Sequence, residues 1–97
     1  MNLEELTDET FRPFLNQVFA VTTAPETTIE MTLAQVNVSP HQGESRKQFS
    51  LLFLGPQVPV LRQGTYAMES ANFSRTEIFI FPLGVSAKGM EYEAVFA

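Results

Sequence analysis

Apolar residues recur at every second position along much of this chain. In "TIEMTLAQVNV", Ile29, Met31 and Leu33 alternate with Glu30 and Thr32; the phase then shifts, so that Val36 and Val38 follow Gln35 and Asn37. A period of two marks a strand with one buried face, and one extra residue near Ala34-Gln35 restores the inward phase as a β-bulge does. "GTYAMES" alternates around Tyr66 and Met68, and "GMEYEAVF" sets Met90 and Tyr92 against Glu91 and Glu93. "QFSLLFLG" and "TEIFIFPL" are apolar at both parities, and "QVFAVTT" supplies a sixth run. All six are rich in β-branched and aromatic residues, which strands favour. The predicted strands are 17–23, 28–38, 48–54, 64–70, 76–82 and 90–96, the fifth ended by Pro82.

Only the N-terminal stretch has a helical period. Thr7 can cap a first turn, with Leu6 before it as a hydrophobic staple and Asp8 and Glu9 where the helix dipole favours anions. Phe11, Phe14 and Leu15 then make an i, i+3, i+4 apolar face, and Pro13 limits the helix, predicted over 7–15, to about two turns. Such a helix suits the open end of a β structure. Between the strands, "TAPET" reads as a turn and "SPHQGESRK" as a polar loop. "PQVPVLRQG" reads as a crossing from one wall to the other, and "ESANFSR" and "GVSAKG" as hairpins. Gly89 is expected in a hairpin at positive φ, and Gly55-Pro56 and Gly84 at strand ends. The expectation is a single all-β domain over 1–97. It is a small antiparallel barrel or tight sandwich of about six strands with one short N-terminal helix, and closure is favoured because it removes sheet edges.

The two doubly apolar strands pose a packing problem. Tyr66, Phe79 and Tyr92 are assigned to the core, which leaves Leu52, Leu54, Ile78 and Ile80 on opposite faces. A small barrel under a two-turn helix cannot cover all of them. One face of Leu52/Leu54 or of Ile78/Ile80 is therefore expected to stay exposed and to meet another chain, either a protein partner or a second copy.

Charge and candidate chemistry narrow the function classes. The 97 residues carry a net charge of -5 with six Lys and Arg, a balance that disfavours nucleic acid, whose binding depends on neutralising phosphates. The absence of cysteine excludes disulfides and thiolate chemistry. No metal site or cofactor is expected. The single histidine, His41, falls in the polar loop and reads as a solvated loop residue; a small hydrolase built on it is a remote alternative. The carboxylate pairs Glu4/Glu5 and Asp8/Glu9 read as a solvated helix end, and Glu91/Glu93 as the outer face of the last strand, so no catalytic residue is assigned. Phe49, Phe53, Phe79, Phe81 and Phe96 read as core, although a Phe- and Met-lined interior could also hold a small ligand. "LLFL" is far shorter than the ~20 residues of a membrane helix, and "MNLEELTDET" lacks the apolar segment of a signal peptide. Neither membrane insertion nor export by a signal peptide is expected, and the protein is expected to be cytoplasmic as synthesised.

Taken in order, "LEELTDETFRPFLNQVF", "FSLLFLGP", "QGTYAME", "EIFIFPLG" and "GMEYEAVF" resemble a small bacterial family, domain of unknown function 6916. The resemblance spans nearly the whole chain. It implies no catalytic residues, because none are assigned to that family. Its genes are often found beside those of phage-tail-collar-type fibre proteins, which implies an accessory role in a tail-like or fibre assembly. Ser70-Ala71-Asn72-Phe73 stands where the family tends to have an extra turn after "QGTY", and "GVSAKG" stands where it often has "GPD". Both departures lie in loops; they bear on loop-borne recognition and leave the fold expectation intact.

Overall fold

The computed structural model describes residues 6–38 and 48–96. Six strands, β1 (Val18–Ala24), β2 (Thr27–Val38), β3 (Phe49–Gly55), β4 (Gly64–Ser70), β5 (Phe73–Ser86) and β6 (Gly89–Phe96), pair antiparallel throughout. Their order is β1-β2-β3-β6-β5-β4, and β4 returns to β1, closing a barrel rather than a sandwich. The segment 56–63 joins β3 to β4, which are not neighbours, so it crosses from one wall to another as its two prolines suggested.

The alternating pattern sets the register. Phe19 and Val21 of β1, Met31 and Leu33 of β2, Leu51 and Phe53 of β3, and Tyr92 and Ala94 of β6 are buried inside. Between Leu33 and Gln35 the β2–β3 register shifts by one residue, the bulge the phase change demanded. Two backbone bonds anchor the chain before β1 beside this bulge. The Asn16 N–H donates to the Leu33 carbonyl at 2.7 Å, and the Leu33 N–H donates to the Gln17 carbonyl at 3.0 Å.

β5 does not stop at Pro82; it runs on to Ser86. A proline is excluded from a strand interior because it lacks a ladder donor. The β4–β5 pairing, however, begins at Gly64↔Ile80, so beyond that point β5 has no β4 residue to bond. Pro82 thus sits where β5 is an edge on that side, at a second bulge between Pro82 and Gly84 in the β5–β6 pairing. Gly84 lies inside the strand with φ +150 rather than ending it.

Each barrel end is stoppered. At one end lies α1 (Asp8–Phe11), followed by a single 3-10 turn, Arg12–Phe14, shorter and tighter than the helix expected over 7–15. The Thr7 N–H donates to Thr10 Oγ1 at 3.1 Å, and Leu6 and Phe11 are both buried, the pattern of a stapled helix start. The Phe11 ring centroid lies 5.3 Å from that of Phe73, 5.6 Å from Phe96 and 6.0 Å from Phe49. Phe49 and Phe96 themselves stack at 4.6 Å, while Phe14 and Phe19 extend the cluster through edge contacts to Phe73. Asp8 is 4% exposed, not a solvated helix-end carboxylate, and accepts a bond from Arg12 Nε at 3.1 Å. Pairing one turn along the helix compensates its burial.

At the other end, Leu61 of the crossing segment turns inward and its N–H donates to the Tyr92 hydroxyl at 2.8 Å, a buried bond. Tyr92→Phe leaves that N–H without its partner, a loss of about 1–3 kcal/mol for a buried unpaired donor. Chemical denaturation should show that loss, and amide exchange at Leu61 should accelerate; an unchanged Leu61 exchange rate would contradict this anchoring role.

Candidate interaction surface

Strand register assigns the outward faces. Tyr66↔Ile78 and Met68↔Thr76 pair across β4 and β5, and Met68 is buried, so Thr76, Ile78 and Ile80 point into the barrel. This corrects the sequence reading at two places. Ile78 and Ile80, expected as candidates for contact with another chain, are core residues, and Phe79, expected in the core, is 51% exposed on the outside. Tyr92 is in the core as expected, and Tyr66 is half-buried near the barrel mouth, its hydroxyl donating to the Arg62 carbonyl at 2.8 Å. Leu52 and Leu54 do lie on the outer face of β3, half-buried, because Phe49, Leu51 and Phe53 take the inner parity.

The outer face of β3, β6 and β5 forms ordered rows. Leu52 pairs with Glu93, and Glu93 with Phe81; Leu54 pairs with Glu91, and Glu91 with Gly84. Neighbouring strands lie about 4.8 Å apart. An apolar stripe on β3 and another on β5 therefore flank a central pair of carboxylates on β6. Leu83 and Val95 extend the apolar area, at 51% and 59% exposure. Leu83 was hidden behind the supposed strand end at Pro82.

Two shallow grooves run along this face. One, of about 430 Å³, is lined by Leu52, Leu54, Glu91 and Lys88 with neighbouring polar residues of β2 and the β5–β6 hairpin. The other, of about 260 Å³, is lined by Val38, Phe49, Glu93 and Val95 among others. The ion pairs among the described residues are Arg12–Asp8 and a loose Arg75–Glu69 contact at 3.9 Å; neither engages Glu91 or Glu93.

The remaining candidate chemistry is dispersed. His41 and the pair Glu4/Glu5 lie outside the described residues. Glu91 and Glu93 share the outer face of β6, as expected. Among the described residues no group of three or more His, Cys, Asp or Glu comes together to hold a metal ion. Phe49 and Phe53 belong to the packed interior, Phe96 is half-buried against it, and Phe79 and Phe81 lie outside. The inward-facing side chains include Phe19, Phe53, Met31 and Met68, all buried. No helix among the described residues is long and apolar enough to cross a membrane.

The molecule is thus a stoppered six-stranded antiparallel barrel, one flank of which sets carboxylates among apolar residues. The chain belongs to the family Domain of unknown function (DUF6916), whose model matches residues 6–96. Searches of curated proteins and of solved structures gave no match.

Proposed function

We propose that the protein is a non-enzymatic binding or assembly module that docks another protein on the outer face of β3, β6 and β5. The observation that carries this reading is the exposure of Phe79, Leu83 and Val95 beside the half-buried Leu52, Leu54 and Phe81. Contiguous apolar surface of this kind, rimmed by polar residues, is characteristic of interaction sites. A role as accessory to a phage-tail-like or fibre assembly is the finer form of the proposal, supported by the gene neighbourhood that the family resemblance implies.

The test uses the intact protein as bait in native lysate, alongside Leu52→Lys and Phe79→Lys. Both positions face outward, so both variants should keep the wild-type circular dichroism spectrum. Phe79→Ala should shift stability by no more than about 1 kcal/mol, in keeping with an exposed site. A protein retained by wild type and lost from both folded variants supports the reading. Retention by both variants overturns it.

A further inference from the structure

Resting on that docking reading, we infer that the partner presents lysine or arginine side chains set between apolar ones, and that Glu91 and Glu93 receive them. Four features of the flank lead there. The two carboxylates occupy the middle strand of the apolar face, with Leu52 and Phe81 on either side of Glu93 in one row. Each lines a separate groove, of about 430 Å³ for Glu91 and about 260 Å³ for Glu93. As alternate residues of one strand they lie about 7 Å apart, a spacing that two cationic side chains can match. Both are half-buried, and neither is in an ion pair with a described residue.

Any partner covering this face strips water from the two carboxylates. Without compensating charge that desolvation opposes binding; with a cation in each groove, the same groups set register and select the partner. A second copy of the chain is the poorer occupant. A two-fold interface whose axis passes through β6 sets the carboxylates of one subunit against those of the other, and each subunit brings to the groove of Glu91 a single lysine, Lys88, against two carboxylates. Nucleic acid and an anionic membrane surface are repelled for the same reason. A basic, apolar protein surface satisfies the rows as they stand.

The test is a titration followed by amide NMR, with three blocked pentapeptides as probes: Ac-LKLKL-NH2, Ac-LQLQL-NH2 and Ac-LELEL-NH2. Glu91→Gln/Glu93→Gln is compared with Glu26→Gln/Glu30→Gln, which removes the same charge from the β1–β2 hairpin. The expected result is that the lysine peptide alone shifts β3 and β6 resonances, and that its Kd rises about tenfold or more in the first variant and stays unchanged in the second. Equal binding of all three peptides at this face, or equal weakening by both variants, overturns the cationic partner and leaves the docking surface standing. If none of the three peptides perturbs this face, the inference and the docking reading fall together.

Discussion

Phe11→Ala should destabilise the protein by about 3–5 kcal/mol, the range for truncating a buried aromatic. Phe11 is fully buried and is the one ring of the N-terminal segment in contact with Phe49, Phe73 and Phe96 together. Those three rings belong to β3, β5 and β6, so Phe11 fastens the segment to three strands at once. The hole left behind cannot be refilled by Phe14, which packs edge-on against Phe19 and Phe73. Because a domain holds only ~5–15 kcal/mol in total, the variant should sit close to its unfolding transition. Phe11→Leu, which keeps most of the volume, should lose much less. Urea unfolding measures both, and an Ala variant with the wild-type midpoint would show that the segment is not part of the cooperative core.

Gly89→Ala should be the most damaging change among the described glycines, and more severe than Gly84→Ala. Both residues have positive φ, +136 and +150, where a side chain is strained by about 1–3 kcal/mol. Around Gly84 there is open space for a Cβ, so strain is the whole effect. At Gly89 a Cβ would collide with the backbone carbonyl oxygen of Gly55. That oxygen cannot swing aside as a side chain would, since Gly55 pairs with Met90 at the end of the β3–β6 ladder. The β5–β6 hairpin, closed by the Ser86 hydroxyl donating to the Gly89 carbonyl, must open or the ladder must slip. Thermal unfolding of the two variants checks the order; equal melting temperatures would mean that the close approach at Gly55 carries no penalty.

How legible the fold was in the sequence follows from how many signals agreed at each position. Along β2 the outward Glu30 and Thr32 and the inward Ile29, Met31 and Leu33 leave a single parity, and the slip at Gln35 appears as a bulge. In β5 the decisive signal is charge. Arg75 and Glu77 share their parity with Phe79 and Phe81, and two charged residues outweigh aromatic bulk in marking the wet face. Aromatic size suggested burial, yet with Ile78 and Ile80 inside, the phenylalanines had to face out. The extension of β5 past Pro82 was not readable locally, because it depends on where β4 begins. Asp8 is buried because the segment folds back over the barrel mouth, a tertiary effect that a helix-start pattern does not contain. Of the candidate surface, Leu52 and Leu54 were legible as one of two alternative outer faces, and Ser50, of the same parity, lies on their side of β3. The alignment of Leu52, Glu93 and Phe81 in one row required the strand order.

The docking face is tested most directly by side-chain labelling with a photogenerated carbene, applied to the free protein and to the complex retained from lysate. In the free protein Phe79, Leu83 and Val95 should be labelled strongly. In the complex all three should be protected, together with Leu52 and Leu54. Undiminished labelling of Phe79, Leu83 and Val95 in the complex, with protection elsewhere on the barrel, would contradict the assignment of this flank as the binding surface.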